Sequence, residues 1–173
     1  ELLHQCIFML NAGHETSTNM LSHGLNELIN HRDQYKLLQK EPGRIDTAID
    51  EILRFQPPIQ INNRRCLEKT KLGDVEVPEG TSVHMIIAGA NRDPLQFFKP
   101  ETFDISRSPN RHLSFGLGIH ICAGINLARV EAKVAFQRLM SSFREINLLK
   151  KPNVANRIRF REIKEMQIEV SSF

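Results

Sequence analysis

The chain has 173 residues, a formal net charge of +3 and 40% hydrophobic residues, which suits one compact domain with a buried core. No apolar run approaches the roughly 20 residues that cross a bilayer, no signal peptide is recognisable, and no Lys/Arg run is interleaved with aromatic residues. We therefore expect neither a membrane nor a nucleic-acid partner. The three cysteines form no CxxC pair, which favours a reducing cytoplasm over a disulfide framework or a zinc ribbon.

Helical spacing of apolar residues dominates the first third of the chain. Residues 2–30 carry a stripe of Leu and Ile at helical intervals, residues 33–39 fit a second short helix, and a third helix follows from Ile45. Pro57-Pro58 should end this third helix, because proline disfavours helix in the residue before it.

From Ile59 the pattern changes to short strands and turns. Residues 75–77 and 82–88 predict the two strands of a hairpin around the turn 78–80, and Gly73-Asp74 marks a further turn. This part of the chain is therefore expected to form small β-sheets.

The last third of the sequence predicts a long loop, a helix and a tail. Residues 92–122 hold many Pro, Asn, Arg and Gly with little periodicity, and an ordered loop of that length in a compact domain is usually functional. A long helix should run from Ala123 to about Phe143, and two short strands should lie within 146–170.

The sharpest motif is FGLGIHICAG, residues 115–124. Its glycines let the backbone fold tightly and approach a flat ligand closely. Cys122 stands where the loop enters the last helix, and the positive end of that helix would stabilise a thiolate able to ligate iron. Taken singly, an isolated cysteine is more often an inert buried thiol, and Gly-x-Gly also occurs in phosphate loops.

A second motif, AGHETST at residues 12–18, lies in the middle of the first predicted helix. Glycine and hydroxyl residues are poor helix formers, and Ser or Thr can bond back to the carbonyl one turn earlier. We expect a bent or widened helix that exposes a hydroxyl to a ligand. A polar turn that faces solvent explains the same residues equally well.

A third motif places Glu51 and Arg54 one helical turn apart on the third helix. Taken alone, such a pair is usually a surface ion pair worth about 0.3–0.5 kcal/mol. Its position between the other two motifs instead indicates a structural role.

In this order, the three motifs resemble those of the cytochromes P-450. Residues 115–124 match the family's haem-ligand signature, Phe-Gly-x-Gly-x-His-x-Cys-x-Gly, at every fixed position. Residues 12–16 resemble its oxygen-binding helix, and the third motif resembles its structural Glu-x-x-Arg. The His-x-Cys spelling and Ala-Asn-Arg-Asp-Pro at 90–94 resemble the soluble bacterial members.

The resemblance implies a mainly α fold with small β-sheets, which is the C-terminal portion of the cytochrome P-450 fold. Its parts are the oxygen-binding helix, the Glu-x-x-Arg helix, short β-hairpins, the cysteine-ligand loop and the long final helix. Family chains begin well upstream of the oxygen-binding helix. Residues 1–173 are therefore expected to be the C-terminal haem-ligating part of one domain, with the N-terminal part absent from this chain.

The resemblance also assigns roles to individual residues. Cys122 would ligate the iron of haem b (iron protoporphyrin IX), Thr16 would position dioxygen, and Glu15 would help to relay protons. Glu51 and Arg54 would tie their helix to the loop before the haem ligand and take no part in catalysis. The other residues that the resemblance places around the haem are Arg64, His112, Phe115, Gly116, His120 and Gly124.

Three of these residues are candidate partners of the haem propionates. They are Arg64, His112 and His120. Arg64 is preferred to its neighbour Arg65 because Cys66, Leu67 and Glu68 then align with the next residues of the family pattern.

The implied function is that of a haem-thiolate monooxygenase, which inserts one atom of dioxygen into a small organic substrate. Its electrons would come from NAD(P)H through a separate ferredoxin- or flavodoxin-type donor. Two alternatives stay open: a non-catalytic truncated fragment that cannot retain haem or turn over, and a thiolate haem that uses peroxide or performs isomerisation or dehydration. Five basic residues near the ligand loop form either a docking face for an acidic partner or a solvated surface; they are Lys99, Arg107, Arg111, Arg129 and Lys133.

Overall fold

Five helices and four two-stranded antiparallel sheets make up the chain, and the computed structural model describes all of residues 1–173. The helices are α1 (Leu2–Asn30), α2 (Arg32–Lys40), α3 (Ile45–Phe55), α4 (Ile87–Ala90) and α5 (Ile125–Ser142). The strands are β1 (Ile61–Arg65), β2 (Thr70–Leu72), β3 (Val75–Val77), β4 (Ser82–Ile86), β5 (Phe143–Leu148), β6 (Asn153–Val154), β7 (Ile163–Glu165) and β8 (Ile168–Ser172). The expected mainly α fold with small sheets is confirmed.

Helix α1 is continuous over its 29 residues, as its apolar stripe predicted. Three hydroxyls donate to the carbonyl one turn earlier in the helix: Thr16 Oγ1 to Ala12 at 2.7 Å, Thr18 Oγ1 to His14, and Ser22 Oγ to Thr18. The expected back-bonding is present, but the expected widening of the helix is not. Each hydroxyl donates to a backbone carbonyl of the preceding turn, and the helix stays regular around these carbonyls.

The hydrophobic core lies where the C-terminal half of α1 packs against α2, α3 and α5. Gly24 lies at a tight contact of α1 with α3 and α5, since a Cβ there would meet Phe136 Cζ at 2.6 Å and Ile52 Cγ2 at 2.9 Å. Only glycine lets the helices come this close. The N-terminal half of α1 leaves this core, and its residues are largely exposed.

The strands pair differently from the sequence-based prediction. The expected hairpin of 75–77 with 82–88 is wrong, because β3 pairs with β2 and β4 pairs with β1. Gly73, with φ +58°, closes the β2–β3 turn. Gly80, with φ +79°, turns the chain back towards the end of β1, where Gly80 N donates to the Cys66 carbonyl at 2.8 Å. Apolar alternation identifies strands but does not specify their partners.

Two further boundaries differ from the prediction. The strand expected over 82–88 ends at Ile86 and continues as the short helix α4. The tail forms the four strands β5 to β8 rather than two, in the pairs β5–β8 and β6–β7. Short strands that pair across the tail carry little periodicity of their own, so their number could not be counted from the pattern.

The long loop and the final helix are confirmed. Residues 92–122 contain only one 3-10 turn, Gly118–His120, and α5 begins at Ile125. No helix of the chain is both long enough and apolar enough to span a bilayer.

Candidate functional site

A cavity of about 930 Å³ lies between the N-terminal half of α1, strands β1 and β4, and the segment 113–122, here called the ligand loop. Of its 26 lining residues, 15 are hydrophobic. A cavity of this size, mostly apolar with a few convergent polar groups, is typical of small-molecule and cofactor sites. It is therefore the candidate functional site.

Most of the residues singled out from the sequence line this cavity. They are Glu15, Thr16, Arg64, Phe115, Gly116, His120 and Cys122. Four others lie outside the lining: His112, Gly124, Glu51 and Arg54. The motif at residues 12–18 and the cysteine motif, more than 100 residues apart in sequence, thus meet across one cavity.

The ligand loop is folded tightly below Cys122. Gly116 has φ +73°, and a Cβ at that position would meet the His120 carbonyl oxygen at 3.0 Å, so the turn requires glycine. Cys122 N donates to the Phe115 carbonyl at 2.8 Å, which closes the loop on itself. Cys122 is exposed, lines the cavity and lies three residues before α5 begins.

On the opposite wall, Thr16 and Glu15 are half-buried. Because the Thr16 hydroxyl hydrogen is donated to the Ala12 carbonyl, its oxygen can still accept a hydrogen bond from the cavity. Thr18 makes the same kind of back-bond to His14 but does not line the cavity. The two threonines are therefore chemically alike and differ in what they face.

Glu51 and Arg54 form a fully buried pair in α3, with both side chains 0% exposed. Arg54 donates to both carboxylate oxygens of Glu51 at 2.8 Å and to the carbonyls of Asn91, Pro100 and Thr102. The Glu51 carboxylate also accepts bonds from the Asp104 backbone N–H and from two side chains, those of Arg107 and Asn110. The pair fastens the segment 91–110 to α3. It is therefore a buried structural pair and not the surface ion pair that this spacing usually forms.

Asn91 carries this connection on to the ligand loop. Its side chain is fully buried; its Oδ1 accepts from Leu113 N at 2.8 Å, and its Nδ2 donates to Ser114 Oγ at 3.0 Å. Ser114 Oγ in turn donates to the Leu53 carbonyl at 2.7 Å. The start of the ligand loop is thus held by α3 and by the residue that follows α4.

His112 faces away from the cavity lining, towards Asp50. His112 Nε2 lies 3.4 Å from Asp50 Oδ1, and Ser114 N lies 3.3 Å from His112 Nδ1, which places the imidazole proton on Nε2. Arg129 of α5 also contacts Asp50 Oδ1, at 2.7 Å, and stacks over the Phe115 ring. Partial burial opposes ionisation of Asp50, but the contacts with His112 and Arg129 outweigh it and hold the pKa of that carboxyl below its usual value.

The basic residues near the ligand loop do not form one free surface. Arg107 is 11% exposed and paired with Glu51, Arg129 is paired with Asp50, and Lys133 is paired with Asp46. Lys99 and Arg111 are exposed and form no ion pair. Three of the five cations therefore already serve contacts within the chain.

The cavity fits a haem by the chemistry of its donors. Cys122 supplies the only thiol in the lining, and no group of three His, Cys, Asp or Glu residues in the chain is arranged to hold a metal ion. A metal held by Cys122 would therefore take its other ligands from a cofactor. Gly116 lets the ligand loop fold tightly below Cys122, and 15 of the 26 lining residues are hydrophobic, which suits a flat, largely apolar cofactor.

Three residues near the site escaped the sequence-based analysis. Asp50 lies just before the third motif and was not part of it, while Asn91 lies within the matched Ala-Asn-Arg-Asp-Pro segment but was given no role there. Arg159 lines the cavity from the tail, where no motif pointed to it. Only the tertiary contacts reveal what these side chains face.

Comparison with known proteins gives consistent similarities. The family model for cytochrome P-450 matches residues 1–157. The chain is similar to the biotin biosynthesis cytochrome P-450 of Bacillus subtilis, with 41% identity over 143 residues, which is 83% of this chain and 36% of that protein. It is also similar to the 6-deoxyerythronolide B hydroxylase of Saccharopolyspora erythraea, with 37% identity over 86% of this chain and 37% of that protein.

The fold is similar to the crystal structure of CYP109E1 from Bacillus megaterium in complex with corticosterone. The TM-score is 0.94 at 31% identity, over 97% of this chain and 46% of that chain. The chain thus spans less than half the length of each of these relatives.

Proposed function

Because the chain belongs to the cytochrome P-450 family, we propose that residues 1–173 form the C-terminal, thiolate side of a haem monooxygenase site in which Cys122 ligates the iron. One observation carries the proposal: the exposed Cys122 and the half-buried Thr16 line the same cavity from opposite walls. The reaction is insertion of one atom of dioxygen into a small organic substrate. The relative named as a hydroxylase supports this reaction class.

Several residues of the chain would hold the cofactor. Cys122 provides the thiolate, and the positive end of α5 favours an anion at that position. Arg64 and His120 line the cavity and can donate hydrogen bonds to the haem carboxylates, while Phe115 and Gly116 shape the face beside the sulfur. His112, expected from the resemblance to contact a propionate, lies outside the lining with its Nε2 directed to Asp50, so we leave it out of the proposed cofactor contacts.

Thr16 and Glu15, which line the cavity from α1, would position dioxygen and supply its protons. When bound, haem supplies the redox chemistry with dioxygen, and a thiolate ligand favours cleavage of the O–O bond. Thr16 offers a hydroxyl oxygen that its bond to Ala12 fixes in place. Glu15 carries the only carboxylate in the cavity lining and lies next to Thr16 in α1, so we assign the proton relay beside Thr16 to it.

The first test replaces the ligand in the haem-loaded full-length protein. Cys122→Ser or Cys122→His should abolish the red-shifted absorption band of the reduced carbon monoxide complex, because neither a hydroxyl nor an imidazole donates charge as a thiolate does. Cys6→Ser and Cys66→Ser are matched controls and should keep the band. Its survival in Cys122→Ser would overturn the ligand assignment.

The second test separates Thr16 from Thr18. Thr16→Ala should leave the haem content intact but lower the product formed per NAD(P)H consumed and raise the hydrogen peroxide released, because protons reach dioxygen in the wrong order. Thr18→Ala removes the same back-bond outside the cavity and should leave the yield unchanged. Equal yields in both variants would refute the role of Thr16.

The electrons would reach the site from NAD(P)H through a separate ferredoxin- or flavodoxin-type protein. Of the five basic residues near the ligand loop, Lys99 and Arg111 are the exposed ones without an ion pair, so they would provide the attraction for an acidic donor. Their part in docking is measurable as a salt-dependent rate of haem reduction that falls when both become Gln.

The alternative is that this chain by itself retains haem weakly and does not turn over. It is favoured by the exposed apolar side chains of the N-terminal half of α1, where the cavity-lining Phe8 is 67% exposed, because a haem needs apolar walls on both faces. Haem titration of the 173-residue chain should give weak or heterogeneous binding. A monomeric, stoichiometrically loaded and active preparation would exclude this alternative.

A further inference from the structure

We propose that Arg159 forms a carboxylate-binding position at the edge of the cavity, so that the substrate carries an anionic group on an apolar body. The inference rests on the function proposed for the cavity and adds the class of substrate. It concerns the loop 156–162 between β6 and β7, of which Arg159 and Phe160 line the cavity.

The backbone on both sides of the Arg159 side chain is anchored. Gln60 N donates to the Arg159 carbonyl at 2.9 Å, and the buried ring of His23 contacts the Arg161 carbonyl. Ala155 N closes the base of the loop on the Glu162 carbonyl at 2.7 Å. Arg159 and Phe160 are therefore presented to the cavity by a fixed backbone.

The charges of the cavity lining leave Arg159 without a carboxylate. The lining contains two arginines, Arg64 and Arg159, and one acidic residue, Glu15. Arg159 forms no ion pair within the chain, and its guanidinium instead lies 5.2 Å from the Phe160 ring centroid. A guanidinium beside an aromatic ring at an apolar cavity is suited to bind a carboxylate whose chain lies against the apolar wall.

Two sources could supply this carboxylate, a haem propionate or the substrate. A haem has two propionates, and the lining residues Arg64 and His120 already provide two candidate donors for them. Arg159 lies on the tail segment of the lining, where its guanidinium is near the Phe160 ring and its carbonyl is held by Gln60 N, and the lining also includes the apolar Pro58 and Ile59. The geometry therefore favours the substrate as the source.

The test compares decanoate with decan-1-ol, which share an apolar chain and differ in charge. In the haem-loaded full-length protein, titration calorimetry should give a dissociation constant for decanoate about fivefold below that for decanol, the upper end for one partly exposed charge pair. Arg159→Gln should remove this preference by weakening decanoate alone, and Arg159→Lys should keep part of it. Arg157→Gln changes the same charge on the same loop, outside the cavity lining, and should have no effect.

Three results would overturn the proposal. They are no preference for decanoate in the unsubstituted protein, equal weakening of both probes in Arg159→Gln, and loss of haem from Arg159→Gln, which would make Arg159 a propionate partner. Calorimetry reports binding without turnover, while the carbon monoxide band reports thiolate ligation. A protein that keeps the band but shows no charge preference therefore contradicts this inference and leaves the proposed function standing.

Discussion

The two halves of α1 both carry apolar residues at helical spacing but lie in opposite environments. In the C-terminal half Met20 is 2% and Leu28 is 0% exposed, whereas in the N-terminal half Leu3 is 70% and Leu10 is 73% exposed. The buried half has α3 and α5 beside it, and the other half faces the cavity. Partners, rather than hydrophobicity, decide which half is packed, so substitutions in the packed region should change stability and those at the cavity should change chemistry.

The largest expected effect lies in the packed region, at the fully buried Arg54. Arg54→Met removes the partner of Glu51 and should lower the free energy of unfolding by about 3–5 kcal/mol, because it leaves a buried carboxylate uncompensated. Lys133→Met is the control, since its pair with Asp46 is 41% and 66% exposed and should be worth less than about 1 kcal/mol. Urea denaturation measures both, and equal losses would contradict the contrast between buried and exposed pairs.

A smaller effect compares the two halves of α1 directly through their glycines. Gly24→Ala should destabilise the protein by about 1–2 kcal/mol, because the added methyl overlaps the buried Phe136 and Ile52 by more than its gain in helix propensity offsets. Gly13 has nothing within 4 Å of an added Cβ, so Gly13→Ala should stabilise by up to about 1 kcal/mol. Thermal unfolding of the two variants should therefore shift in opposite directions.

The smallest expected effect is a pH dependence at His23, where the packed region meets the tail. Burial lowers the pKa of His23, against the contact with the Arg161 carbonyl and the nearby Glu27 carboxylate, which raise it. The unfolded chain therefore binds this proton more readily, and the stability contributed by neutral His23 is complete above pH about 6.5 and is lost as pH falls towards the lower, folded-state pKa.

The variant His23→Gln keeps a donor for Arg161 but does not titrate. Between pH of about 7.5 and 5.5, the unfolding free energy of the variant should fall less steeply than that of the unsubstituted protein. Urea denaturation at a series of pH values tests this, and parallel curves would contradict the assignment.

The parts of the site that could be predicted from the sequence are those whose chemistry is local. Residues 115–124 build a tight loop around a cysteine from consecutive residues, and the back-bond of Thr16 spans one helical turn. The pairing of β3 and the position of His112 beside Asp50 depend on segments far apart in sequence, so no local pattern specifies them. Arg159 likewise has no distinguishing neighbour in the sequence, because its significance comes from the cavity that it lines.

Asn91 connects two walls of the cavity through one buried amide. It follows α4, whose residues Ile87 and Ala90 line the cavity, and its amide holds the first residues of the ligand loop. A ligand that binds better to one arrangement of this amide must shift the equilibrium of both walls, and linkage makes the effect reciprocal. The α4 wall of the cavity and the start of the ligand loop are thus joined by the hydrogen bonds of one buried side chain, so a ligand that displaced either of them would be coupled to the other.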